Sequence, residues 1–145
     1  MLVGKNDSPL FSIILPAYGV EEYISNALDD ILSQTYSNWE AIVVDDCSPD
    51  ASGEIAREYA KKDSRIKVIS HDQNRGLSAA RNTGLGLAQG SYVWFPDPDD
   101  RYEKDLLNQV ANSLQSHKSP VVLIGHREDY FSFSGEYERS VDFVL

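Results

Sequence analysis

The feature that most constrains this chain is a repeated change of hydrophobic period. Short apolar runs at Phe11 to Leu15, Ala41 to Val44, Ile66 to Ile69, Tyr92 to Phe95 and Val121 to Ile124 are bounded by Pro, Asp, Ser or Gly. Such runs read as buried strands. Between them apolar residues recur at helical spacing: Ile24, Ala27, Leu28, Ile31 and Leu32, then Ile55, Ala56, Tyr59 and Ala60, then the Ala- and Leu-rich stretch Ser78 to Ala88, then Leu106, Leu107, Val110 and Leu114. Strands alternating with helices call for right-handed crossovers and a mostly parallel sheet, an α/β fold. Beyond Gly125 the pattern weakens, and a hairpin around Ser134-Gly135 is the expectation for Tyr130 to Ser140.

Composition narrows the function. The 145 residues are 41% hydrophobic and 25% charged, a globular balance expected to form one domain. The single cysteine, Cys47, excludes a disulfide framework and a multi-cysteine metal site. Thirteen basic against twenty-three acidic residues give 13 − 23 = −10. A face for nucleic acid or for anionic lipid is therefore not expected, since both need positive charge. Any anionic ligand needs a local reversal of that field. The first ten residues do not read as a signal peptide and no apolar run is long enough to span a bilayer, so a cytoplasmic location is expected.

In open α/β sheets ligands bind outside the carboxyl ends of the strands, so those loops are where chemistry is sought. They offer Pro16, Ala17, Tyr18 and Gly19 after the first strand, Asp45 and Asp46 after the second, His71, Asp72, Asn74 and Arg75 after the third, and Asp97, Asp99 and Asp100 after the fourth. Asp97-x-Asp99 reads as a turn and helix cap, or as alternate carboxylates converging on a hard cation such as Mg or Mn. Its place at a strand end, beside other acids, favours the metal. Of Asp45 and Asp46, each is either a loop hydrogen-bond acceptor or a ligand contact. Tyr18 either packs over the sheet edge or stacks on a planar base. Arg75 and Arg81 are surface ion-pair partners or phosphate contacts, and Ser78 lies where free helix N–H groups would help to hold a phosphate. The histidines His71, His117 and His126 have no metal-ligand spacing, Cys47 reads as a small loop or core residue, and Trp39 and Trp94 read as packing.

Two stretches, FSIILPAYGVEEYISNALDDILSQTYSNWEAIVVDDCSPD and NRGLSAARNTGLGLAQGSYVWFPDPDD, together resemble the inverting family-two glycosyltransferases of the GT-A fold. The order strand–Pro–x–Tyr, Val–Asp–Asp, Asn–x–Gly–x–x–x–Ala–Arg–Asn, Asp–x–Asp carries the resemblance, from about Phe11 to Asp100 and less clearly to Gly125. It implies a Rossmann-like three-layer α/β/α sandwich, with a tail at 1–10, a nucleotide-sugar-binding domain at 11–125 and the start of an acceptor half or a tail at 126–145. It further implies that Pro16, Ala17 and Tyr18 frame the base, that Asp46 contacts a base, often uracil, and that Arg75 and Arg81 lie near base and diphosphate. Asp97 would approach the ribose or the metal shell, and Asp99 would ligate a divalent cation, Mn or Mg. The activity implied is inverting transfer of a sugar from a nucleoside-diphosphate donor, with UDP expected, to a saccharide or lipid-linked acceptor. Peripheral attachment at the inner membrane face goes with that role.

Four positions depart from the family's usual residues: Gly19 stands where Asn is common, Cys47 where Gly is frequent, and Pro96 and Pro98 flank Asp97 where Leu and Ser are common. No residue after Gly125 stands out as the general base, which is expected beyond Leu145 in an acceptor half. Two other readings remain: a sugar-nucleotide binder without turnover, and a phospho-receiver signalling domain. The second wants an acid pair after the first strand, whereas here the pairs follow the second and fourth.

Overall fold

The structure, a computed structural model, describes residues 8–117, 126–131 and 137–143. The chain divides into two compact units, Met1–Ala111 and Asn112–Leu145. In the first, β1 (Phe11–Ala17), α1 (Ile24–Leu32), β2 (Trp39–Asp45), α2 (Ser52–Lys62), β3 (Ile66–Ser70), α3 (Leu77–Leu87) and β4 (Tyr92–Trp94) follow one another, and α4 (Leu106–His117) begins. In the second, β5 (His126–Phe131) and β6 (Tyr137–Phe143) pair antiparallel. The strand expected at Val121 to Ile124 and the turn expected at Ser134-Gly135 lie outside the described residues.

The four strands of the first unit are all parallel, in the order β3-β2-β1-β4. The chain winds outward from β1 to β3 and then returns to the other side of β1. The order therefore reverses between β1 and β4, where open α/β sheets form their ligand crevice.

Strands β1 and β2 are central and buried along their whole length, with Ile13, Ile14, Leu15, Ile42, Val43 and Val44 at their apolar centre. Burial on both faces is what a continuous apolar run encodes. Alternation assigns the faces. Ile42 and Val44 pack with Ala80 of α3, while Asp45 meets the start of α2 at Gly53. Layers of helix thus cover both faces of the sheet. Gly84, inside α3, is a close approach: a Cβ there would run into Ile14, so the glycine lets helix and strand meet.

Both central strands run longer than their apolar runs. β1 continues through Pro16 because β4 stops pairing with it at Ile13–Trp94, which leaves one side of β1 open where the proline lacks an N–H. β2 starts earlier, at Trp39 and the buried Glu40. The Glu40 carboxylate accepts from Ser12 Oγ (2.8 Å), Gln89 N–H (2.7 Å) and Lys67 Nζ (2.9 Å). Burial alone would raise its pKa, but these donors outweigh it and hold the carboxyl below its ordinary range. Ser12 Oγ in turn accepts from Gly90 N–H at 2.8 Å. A buried charge at the amino ends of the strands thereby ties β1, β2, β3 and the α3–β4 loop together.

Candidate active site

At the opposite rim, the carboxyl ends of β1 and β2 are joined by Asp46 N–H donating to Ala17 O at 2.9 Å. A cavity of about 280 Å³ opens beside them. Pro16, Ala17, Tyr18 and Val20 form one wall, Gly76, Leu77 and Ala80 of the α3 start another, and Asn74, Pro98 and Asp46 complete it. The lining is chiefly apolar and includes one half-exposed aromatic ring, Tyr18, and one carboxylate. An apolar cavity with few convergent polar groups is the usual form of a small-ligand site.

The acid pair splits between two tasks because neighbouring residues leave a strand toward opposite faces. Asp45 turns toward α2, where its carboxylate accepts from Ser48 N–H (2.9 Å) and lies 3.6 Å from Arg57. Gly53 has no Cβ and makes room for it. Asp45, the last residue of β2, thus braces the loop that follows it. Asp46, 2% exposed, turns toward α3 and lines the cavity. Its Oδ1 accepts from His71 Nδ1 (2.6 Å) and Arg75 N–H (2.9 Å), and its Oδ2 from Gly76 N–H (2.7 Å). Burial would push the carboxyl up. The hydrogen bonds from His71 and the two amides more than offset it, so Asp46 is held ionised, below the usual carboxylate range.

The structure adds detail at three rim residues. Arg75 engages the site through its backbone N–H, its side chain being exposed. His71, set aside for lack of metal spacing, is a direct partner of Asp46. Cys47 is an exposed loop residue with φ +58, the loop alternative of its two readings. That left-handed conformation explains why glycine suits the position. Gly19 has φ +64, the same region, which asparagine also tolerates.

The loops that carry these residues are cross-braced. Val20 N–H donates to Ser52 Oγ at 3.0 Å and Glu21 N–H to Asp50 at 3.0 Å, while Ala51 N–H donates back to Glu21 at 2.9 Å. This fixes the Tyr18-Gly19 turn against the α2 start.

After β4, Pro98 faces the cavity while Asp97 and Asp99 on either side are exposed. Arg81 Nη2 donates to Asp97 Oδ1 at 3.0 Å. Asp97 N–H donates to Tyr102 Oη (2.8 Å), which donates to Asp97 O (3.1 Å). Trp94 packs edge-on against Tyr102, with ring centroids 4.7 Å apart. Burial raises the Tyr102 phenol and keeps it a protonated donor. Trp39 is buried beneath Arg65, whose guanidinium lies 3.7 Å from the ring centroid, a packing role. Ser78 is exposed in the first turn of α3.

Among the described residues no group of three or more His, Cys, Asp or Glu is gathered to hold a metal ion. Asp97 and Asp99 offer hard carboxylate oxygens, and both are exposed. That donor set suits a hard divalent cation that completes its shell with water and substrate phosphates, and does not make a closed protein cage.

A parallel sheet reversing between β1 and β4, with base-sized space at the reversal and an acidic loop beside it, is the GT-A fold. Comparison with known structures agrees. TarS 1–349 from S. aureus, solved in complex with UDP, superposes with a TM-score of 0.70 at 35% identity, over 74% of this chain and 32% of that 1–349 chain. The mannosyltransferase PcManGT from Pyrobaculum calidifontis, in complex with GDP-Man and Mn2+, superposes with a TM-score of 0.68 at 28% identity, over 79% of this chain and 34% of PcManGT. The chain belongs to Glycosyl transferase family 2, whose profile matches residues 12–143. The uncharacterized glycosyltransferase EpsJ of Bacillus subtilis is 45% identical over 117 residues, 81% of this chain and 34% of EpsJ. The chain spans less than half the length of the first curated relatives it matches.

Proposed function

We propose that this chain binds a nucleoside-diphosphate sugar, with UDP as the nucleotide, and serves its transfer with inversion to a saccharide or lipid-linked acceptor. The observation that carries the reading is Asp46: a buried, ionised carboxylate lining an otherwise chiefly apolar cavity at the β1–β4 reversal. Family membership and the UDP complex of TarS support it.

Each residue has a role that its surroundings allow. Tyr18 stacks on the base, and Pro16 and Ala17 form the wall against it; such stacking contributes about 1–3 kcal/mol per base. Asp46 accepts a base N–H. Uracil presents one at N3, whereas cytosine presents an acceptor there. The α3 N-terminus, with Arg75 and Arg81, supplies local positive potential to a chain of net charge −10. Asp97 and Asp99 would hold Mn or Mg, as the Mn2+ complex of PcManGT supports. A divalent cation there supplies charge neutralisation for the departing diphosphate. The acceptor hydroxyl attacks the anomeric carbon, its proton going to a carboxylate base that we place beyond Leu145, and the nucleoside diphosphate leaves. A cytoplasmic site of action, with peripheral attachment to the inner membrane face, goes with such a donor and acceptor.

Calorimetric titration of UDP with and without Mn tests the reading. Binding strengthened by Mn, and weakened in Asp99→Ala only when Mn is present, is the expected result. Equal affinity of Asp99→Ala and the parent with Mn present overturns the Asp99 assignment. Assays of sugar transfer from UDP-sugars separate transfer from binding alone.

A further inference from the structure

The imidazole of His71 is almost wholly enclosed, its side chain 5% exposed, between the end of β2 and the face of α3. Both ring nitrogens are engaged. Nδ1 lies 2.6 Å from Asp46 Oδ1 and Nε2 lies 2.9 Å from Thr83 Oγ1. The backbone is held as well, His71 N–H donating to Asp45 O at 2.9 Å. An ionised carboxylate only accepts, so Nδ1 carries the proton and Nε2 takes the Thr83 hydroxyl proton as acceptor. That relay leaves the ring one orientation. On Asp46, Oδ1 then has two donors, His71 and Arg75 N–H, and Oδ2 has one, Gly76 N–H. A carboxylate has about four acceptor sites, so the remaining one is on Oδ2.

We propose that His71 is a positioning residue for base selection: its Nδ1–H fixes the rotation of the Asp46 carboxylate, so that the one free Oδ2 site meets the N–H of a uracil-type base, while Thr83 fixes the ring. This rests on the reading of Asp46 as the base contact. A side chain that merely filled the space would need neither hydrogen bond. The two amides come from consecutive residues of one loop, whereas His71 pins Oδ1 from the end of β3 and Thr83 extends the pin into α3. At metal centres, partners that orient a ligating side chain typically cost about 10–100-fold when lost, and the same orienting logic applies to a carboxylate that recognises a base.

The test reads selectivity rather than affinity alone, because a general loss of structure lowers binding of both nucleotides together. UDP and CDP are titrated calorimetrically into the 145-residue chain and its variants, with Mn present. His71→Leu is expected to lower the UDP-to-CDP affinity ratio about tenfold, the usual scale for losing a hydrogen bond to a charged group. His71→Asn, whose amide N–H sits close to the Nδ1 position, restores most of the ratio. Thr83→Val lowers it by a smaller factor. Asp46→Asn is the control for the underlying reading. If the parent shows no preference for UDP, or Asp46→Asn keeps the parent ratio, the base-contact reading falls and takes the His71 role with it. If Asp46→Asn loses the preference while a folded His71→Leu keeps it, the His71 role alone is overturned. Should His71→Leu fail to fold, an unchanged ratio in Thr83→Val overturns it instead.

Discussion

Arg101 grips Asp30 with two parallel hydrogen bonds, Nε to Oδ2 at 2.8 Å and Nη2 to Oδ1 at 2.9 Å. Tyr102 N–H adds a third at 2.9 Å. Asp30 is on α1 and Arg101 follows the acidic loop, so the helix after β1 anchors the segment bearing Asp97 and Asp99. Gln34 repeats the link one turn on, donating to Glu103 O at 2.9 Å and accepting from Leu107 N–H at 3.1 Å. The Arg101 hydrogen bonds are the main reason that Asp30 ionises more readily than usual. Asp30→Asn is expected to lower stability by about 1–2 kcal/mol in urea denaturation. It should also weaken Mn-dependent UDP binding beyond what it costs in Mn-free buffer. Equal losses in both buffers would show that the anchor does not serve the acidic loop.

Glu40 sets an acid limit on stability. Its folded pKa lies below its ordinary value, so its contribution is fully present above the unfolded value of about 4.3 and fades as pH falls toward the folded one. Glu40→Gln is therefore expected to be less stable than the parent at pH 7, by about 1–3 kcal/mol, with the gap narrowing below about pH 4. Urea midpoints at pH 7 and pH 3.5 check this. A gap that widened on acidification would reverse the sign of the argument.

Two glycines of α3 should respond to alanine in opposite directions. At Gly84 a Cβ meets Ile14, so Gly84→Ala overpacks the sheet face and costs about 1–3 kcal/mol. At Gly86 a Cβ meets nothing, so Gly86→Ala gains about 0.5–1 kcal/mol from helix propensity. Thermal unfolding of the two variants would decide the matter, and a shared direction would contradict the packing.

Cys47 holds φ +58 without being glycine. Such a conformation costs an L residue about 1–2 kcal/mol, part of which glycine returns to the unfolded chain as entropy. Cys47→Gly should raise the unfolding midpoint slightly, and Cys47→Val, β-branched, should lower it clearly. A lower midpoint for the glycine variant would mean that the Sγ contact to Asp72 O, at 3.8 Å, outweighs the backbone strain.

Tyr18 is half exposed and lines the cavity. If it stacks on the base, Tyr18→Ala weakens UDP binding about tenfold while Tyr18→Phe stays close to the parent. A Phe variant as poor as Ala would shift the role from the ring face to the hydroxyl.

The sequence by itself determined the kinds of element, their order and the rim where a ligand belongs. Apolar runs and helical spacing are local properties, and each strand's last residues are marked by Pro, Asp, Ser or Gly wherever the strand later pairs. The motif order pointed to the family on the same local basis. What the tertiary structure decided is which residues meet. The order β3-β2-β1-β4 depends on pairings between distant segments. Asp45 and Asp46 are identical as letters, and only the faces of β2, one toward α2 and one toward α3, separate a loop brace from a cavity carboxylate. His71 reaches Asp46 across 25 residues, Thr83 reaches His71 across 12, and Arg101 reaches Asp30 across 71. Arg75 reads as a charge, and only the fold shows that its amide holds Asp46 as well. Periodicity reports burial along one segment; hydrogen bonds between segments form only when the sheet brings their ends together.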